Sequence, residues 1–203
     1  VQMYGCGIGP VLREQHRKLA ARVLNACVDV ITLREPDSQK ELQSMGVTRP
    51  EVLLTADPAL TLPAASDDEI DSVLLRAGIP PRGNYLCFAL RNWKGFESKA
   101  PLFGQAAKYA YETYGLTPVF AAVEKHLDPG AGRLAAAGLD IPHYFLDDAG
   151  SAGTIIGALS RMQAVVSMRL HALIFAAGQG IPLAGVVYDP KVSSFLRYIG
   201  QEN

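Results

Sequence analysis

Three arginines and a lysine recur at one kind of position in this chain. Arg34, Arg91 and Arg169 each follow a short, mostly apolar run, and Lys191 comes shortly after another. Arginine makes fork-shaped, paired hydrogen bonds to carboxylate and phosphate, so several of them at strand ends point to a small polyanion carrying both groups. The competing reading is that each pairs with a nearby acid such as Glu35, Asp57 or Asp189. His171 stands two residues after Arg169. A histidine there can act as general acid or base near neutral pH, or can merely bond a backbone carbonyl. His16, His126 and His143 lack that company and read as surface or core residues.

A second candidate is GCGIGP, residues 5–10. A strand, glycine-rich turn and helix in succession let backbone N–H groups approach an anion, with Gly7 and Gly9 as the permissive positions. The dinucleotide pattern G-x-G-x-x-G fails because position 10 is Pro10, which could instead open a helix. A plain tight turn fits equally well. Arg13 is near enough to the turn to face a ligand, whereas Arg17 and Lys18 read as a solvated helix face. No metal is implied, since the histidines and cysteines have no ligand spacing. There is no G-x-S-x-G elbow for a serine nucleophile.

These groups need strands to carry them, and the pattern supplies strands. Residues 28–33, 51–55, 85–90, 117–123, 143–146, 164–168 and 181–188 read as short buried strands. Between them lie helical stretches that glycine or proline ends, such as the Ala-rich run 171–178 stopped by Gly178 and Gly180. Regular alternation without an internal repeat predicts an α/β fold of doubly wound, Rossmann-like parallel sheets. In such sheets ligands bind outside the carboxyl ends of the strands, where the cations sit. The run 63–84, with Pro63, Pro80, Pro81 and Gly83 around a short helix, is expected to be a linker. It would separate residues 1–62, the later part of a first domain, from a second domain over 85–203.

With 203 residues, 49% apolar and 19% charged, the chain can bury a sizeable core. A net charge of −1 excludes a nucleic-acid binder that relies on bulk positive charge. Cys6, Cys27 and Cys87 are odd in number and widely spaced, as free thiols in a reducing compartment would be. Neither a signal peptide nor a membrane-spanning run is recognisable, so the cytoplasm is the expected location.

GIGP at 7–10, ITLREPDS at 31–38, TADPAL at 55–60 and SMRLHALIFAAGQGIPLAGVVYDPK at 167–191 together resemble the polysaccharide pyruvyl transferase family. The resemblance implies two Rossmann-like domains of the GT-B glycosyltransferase type with the active site between them. It implies transfer of pyruvate from phosphoenolpyruvate onto a sugar of a cell-wall or capsular polymer, or its lipid-linked precursor, as a cyclic ketal. The nearest type pyruvylates the secondary cell-wall polysaccharide that anchors surface-layer proteins. No cofactor is implied beyond phosphoenolpyruvate as donor substrate. The partners are that donor and the saccharide, with peripheral association at the inner membrane face through the acceptor. On the R-L-H step, Arg169 and Leu170 would bind the donor with Arg91 and Arg34 helping, His171 would be the acid-base residue, and Lys191 would stabilise departing phosphate. Family members carry more sequence before the GIGP turn, so the chain is expected to begin inside its first domain and to be inactive by itself.

Two other classes compete. A nucleotide-sugar glycosyltransferase of the same fold would use a basic site for a diphosphate. A non-catalytic anion- or sugar-binding module would bind without turnover, and fold alone does not choose among them.

Overall fold

The computed structural model describes residues 1–201. Among them the α/β class is realised as two parallel sheets with eight α-helices. The chain divides into two compact units, Val1–Leu60 together with the chain from Ser193, and Thr61–Val192.

The first unit runs β1 (Gln2–Cys6), α1 (Glu14–Cys27), β2 (Val30–Leu33), α2 (Pro36–Ser44) and β3 (Glu51–Leu54). The strands lie in the order β1-β2-β3, all parallel, with Leu33 opposite both Cys6 and Leu54. Ile31, Leu33, Leu42 and Val47 form its core. Pro36 stands in the first turn of α2, where its missing N–H costs nothing, and Gly46 at φ +80 follows the helix end. Pro10 does not open a helix. Gly9 (φ +102) and Pro10 belong to a loop, and α1 starts only at Glu14. Residues from Ser193 join this unit by polar contacts: Ser194 Oγ donates to Asp37 (2.9 Å), and the Tyr198 hydroxyl to the Thr55 carbonyl (3.2 Å).

The second unit begins with α3 (Asp67–Arg76) and continues β4 (Tyr85–Ala89), α4 (Phe96–Tyr114), β5 (Thr117–Ala121), α5 (Pro129–Ala135) and β6 (Tyr144–Leu146). It then runs α6 (Ala152–Ser160), β7 (Ala164–Ser167), α7 (Leu170–Gly178), β8 (Leu183–Gly185) and α8 (Pro190–Tyr198), whose residues from Ser193 count with the first unit. The sheet order is β6-β5-β4-β7-β8. The chain winds one way from β4 to β6 and then returns to place β7 on the other side of β4. That reversal makes the carboxyl edge between β4 and β7 a topological switch point.

The stretch 63–84, expected as a linker, is packed into this unit. Ile70, Val73 and Leu74 of α3 are buried. Gly157 of α6 lets Ile70 approach so closely that a Cβ there would stand 2.3 Å from Ile70 Cδ1. Ala65 N–H donates to the Gly153 carbonyl (2.9 Å). The proline-rich composition marks the turns around α3, while its apolar stripe at 70, 73 and 74 docks it.

Helices α4 and α5 also meet at a glycine. A Cβ on Gly104 would lie 2.5 Å from the Ala135 carbonyl oxygen, an atom of backbone that cannot swing aside. Gly104→Ala is therefore expected to destabilise the protein by about 1–3 kcal/mol, despite the better helix propensity of alanine. Urea unfolding measures this, and a stabilised variant would refute the close approach.

Cys87, in the middle of the central strand β4, is fully buried, and burial pushes its thiol up to about 12. Cys27 is exposed. A thiol-specific disulfide reagent at neutral pH should consume Cys27 promptly and Cys87 only after denaturation. The linkage has a sign. An unfolded Cys87 ionises near its ordinary 9.0 and the folded one near 12, so this group lowers stability as pH rises through that window.

Candidate active site

Strand register decides which cations share an edge. In the second unit Ala89 of β4 pairs with Ser167 of β7, and Ser167 with Gly185 of β8. Arg91 and Arg169 therefore each stand two residues past a paired position, on adjacent strands, at the switch point. Ser167 is fully buried; its hydroxyl accepts the Arg169 N–H (2.8 Å) and donates to the Ala89 carbonyl (3.1 Å), which ties the two strand ends together.

Arg169 is the residue just before α7, in extended backbone, and its side chain is 15% exposed. Its guanidinium is bound by Asp128: Nε lies 2.9 Å from both carboxylate oxygens, and Nη2 also contacts Oδ1. Asp128, the residue before α5, is buried and additionally accepts the Val123 and Glu124 N–H groups (3.2 and 2.8 Å). The acid that pairs with Arg169 thus comes from the end of β5, forty-one residues away in sequence, not from a sequence neighbour. Nη1 is the guanidinium nitrogen without a partner among the described residues.

Leu170 and His171 open α7. Leu170 is 7% exposed, its side chain packed into the core. His171 is exposed, and its ring centroid stands 6.1 Å from that of Phe175, one helical turn on. Arg91 Nη1 reaches the Tyr188 hydroxyl (3.3 Å), and its guanidinium carbon lies 5.1 Å from the centre of the Trp93 ring. Lys191 is half exposed; its Nζ is 4.0 Å from Asp189, whose other oxygen accepts the Lys191 N–H (3.0 Å). At an average exposed separation such a pair contributes little, so the ammonium stays available to an anion.

In the first unit Arg34 follows β2 and pairs with Asp57 at 2.8 Å; Asp57 is 7% exposed and also accepts the Ala59 N–H. Gly7 leaves room for this arginine, since a Cβ there would stand 3.0 Å from Arg34 Nε. The GIGP turn is braced by α2. Ile8 N–H donates to Ser38 Oγ (2.6 Å), Val11 N–H to Glu41 Oε1 (3.1 Å), and Gly5 N–H to Thr32 Oγ1 (2.7 Å). Those three donors are occupied within the protein and are not a cradle for an anion. Gly9 keeps its place because a Cβ would meet Glu41 Cγ at 2.8 Å. Arg13 is exposed, and the basic residue of α1 that reaches the turn is Arg17, which contacts Glu41 (2.7 Å), Ser44 (2.7 Å) and the Val11 carbonyl (3.2 Å).

The arginine and acid pairing considered from sequence holds for Arg34 with Asp57, while Arg169 uses an acid the sequence reading did not weigh. Asp128 had one local signal, an Asp-Pro step at a helix start. Tyr188 and Trp93 had none. His143 bonds the Ile141 carbonyl through Nδ1 (2.8 Å) and packs edge-on against Phe120 and Phe145. Among the described residues no group of three or more His, Cys, Asp or Glu side chains could hold a metal ion. No helix among them is long and apolar enough to cross a membrane.

Comparison with known proteins bears on this edge. No curated protein matches the chain in sequence. One similar solved structure is the crystal structure of the glycosyl transferase family 9 protein from Veillonella parvula DSM 2008, at 11% identity and a TM-score of 0.48. The similarity covers 88% of this chain and 63% of that one, so the chain spans less than two thirds of that protein's length. The family model described as polysaccharide pyruvyl transferase matches residues 1–190, from β1 to the first residue of α8, a span that holds Arg34, Arg91, Arg169 and His171 and ends just before Lys191. The chain belongs to the polysaccharide pyruvyl transferase family.

Proposed function

We propose that this chain transfers pyruvate from phosphoenolpyruvate to a sugar of a cell-wall or capsular polysaccharide, or of its lipid-linked precursor, forming a cyclic ketal. One observation carries the reading. Within the span that matches the family, a braced arginine, a first-turn histidine and Arg91 emerge from two adjacent strand ends at a switch point, and Lys191 follows directly after that span. Phosphoenolpyruvate carries a carboxylate and a phosphate on the same carbon, and such an edge suits that double anion.

The chemistry assigns a task to each group. One sugar hydroxyl adds to the central carbon of the enol while a proton goes to the methylene carbon, which becomes the methyl. A second hydroxyl then displaces phosphate from the same carbon, and its proton leaves with the phosphate. Two bonds from carbon to sugar oxygen form, one to phosphate breaks, and nothing is oxidised or reduced. His171, exposed on the first turn of α7, delivers the first proton. Arg169 enters as a fork fixed by Asp128, presenting Nη1 toward the donor, and this bracing removes the entropy of ordering a long side chain on binding. Because Asp128 offsets the charge of Arg169, most of the uncompensated positive charge comes from Arg91 and Lys191, with Lys191 stabilising the departing phosphate. A lipid-linked acceptor would hold the protein at the membrane surface through its substrate.

Incubation of the complete protein with phosphoenolpyruvate and lipid-linked disaccharides should release phosphate and raise the acceptor mass by one pyruvic acid less one water. Thermal protection by phosphoenolpyruvate and not by nucleotide sugars should accompany it. Protection by a nucleotide sugar alone, without ketal product, would replace this reading with glycosyl transfer.

A further inference from the structure

The turn between β4 and α4 holds the only tryptophan of the chain, Trp93. It lines an open depression of about 570 Å³ with Arg91, Asn92, Lys94, Gly95 and Glu97, just beyond the carboxyl end of the central strand. A tryptophan is costly to leave in water, yet 43% of this one is exposed. The ring is nevertheless fixed in place. Arg91 lies over it at 5.1 Å, and the Tyr188 ring meets it at 5.0 Å and 66°. Below it, buried Phe96 anchors the turn, and the Phe96 N–H bonds the Trp93 carbonyl (2.8 Å). An indole so held has an apolar surface that its two neighbours leave uncovered, rimmed by side chains that both donate and accept hydrogen bonds.

We propose that Trp93 is the platform on which a pyranose ring of the acceptor stacks, with Glu97, Asn92 and Lys94 addressing its hydroxyls. This deepens the pyruvyl-transfer reading and rests on it for the identity of the acceptor as a saccharide. The fit is chemical. A pyranose offers one face of C–H groups and an equatorial belt of hydroxyls, which calls for an aromatic plane with mixed donors and acceptors at its border. A small dianion calls for converging cations without an acid, and here Glu97 stands among them. Arg91 serves both sides of the arrangement. Its guanidinium lies over the indole while belonging to the strand end that faces the donor, so the stacked sugar is set beside the enol carbon.

Because Trp93 is the sole tryptophan, its fluorescence reports the platform directly. The full chain is titrated, without donor, with methyl β-glucoside, methyl β-galactoside, methyl β-mannoside and N,N′-diacetylchitobiose, and separately with phosphoenolpyruvate. A saturable blue shift with at least one saccharide is expected, apart from any change that phosphoenolpyruvate causes through Arg91 over the ring. In binding calorimetry with the responding saccharide, Trp93→Leu should weaken affinity about tenfold, while Trp93→Phe, which keeps a ring face, should lose about threefold or less. Phosphoenolpyruvate protection against thermal unfolding should be kept in Trp93→Phe, which leaves a ring under Arg91. Emission that answers to no saccharide, or equal affinity of the leucine and wild-type proteins, overturns the platform. Absence of ketal product with an intact saccharide response would instead overturn the reaction and leave the platform standing.

Discussion

On the proposed function, His171→Ala is expected to lower the rate of pyruvyl transfer about 10²- to 10⁴-fold, the usual worth of a positioned general acid. The side chain is exposed on the first turn of α7, so its removal opens no core void and thermal unfolding should barely move. Loss in the turnover number, with the KM for phosphoenolpyruvate little changed, would mark a group that acts in the transition state and not in ground-state binding. The measurement is phosphate release from phosphoenolpyruvate at saturating acceptor. A His171→Ala protein that kept full transfer would remove histidine from the chemistry and leave the strand-end cations as binding groups only.

Asp128→Ala acts on the fold first. It leaves the part-buried Arg169 guanidinium without its buried counter-charge and the Val123 and Glu124 N–H groups without their acceptor. Breaking a buried pair from one side costs about 3–5 kcal/mol, far more than an exposed ion pair is worth. Urea unfolding should show this loss. The double variant Asp128→Leu with Arg169→Met should recover part of it, since neither charge is then stranded. Unchanged stability of the single variant would mean that solvent already reaches the pair. Asp128→Asn is the informative intermediate. It keeps an oxygen for the backbone donors, and any fall in donor affinity then reports the orientation of Arg169.

Much of the fold was legible because parallel strands read as short apolar runs, even where, as in β3, most of the strand is exposed. Residues 51–55 and 164–168 correspond closely to β3 and β7, and Gly46 and Gly180 follow the helices they were expected to stop. Apolar content overstates strand length at the sheet edge. The run 181–188 forms a ladder only over Leu183–Gly185, because β8 has a single neighbour and its later residues turn away as Tyr188 meets Trp93 and Arg91. Pro10 was ambiguous because proline suits a helix start and a loop alike. The choice fell to Ser38 and Glu41 of α2, whose side chains hold the turn and lie some thirty residues away.

By itself, the sequence determined the α/β class, the family, and the set of cations at strand ends, since each depends on local pattern and residue type. Tertiary structure decided which of them act together. Register across β4 and β7 brought Arg91 and Arg169 to neighbouring strand ends, and the return of the chain past β4 made that edge a switch point. It also distinguished a braced arginine from a solvated one, because Asp128 reaches Arg169 only once β5 is in the sheet. Such pairings are non-local contacts. No window of sequence contains both partners, so only packing could assign them.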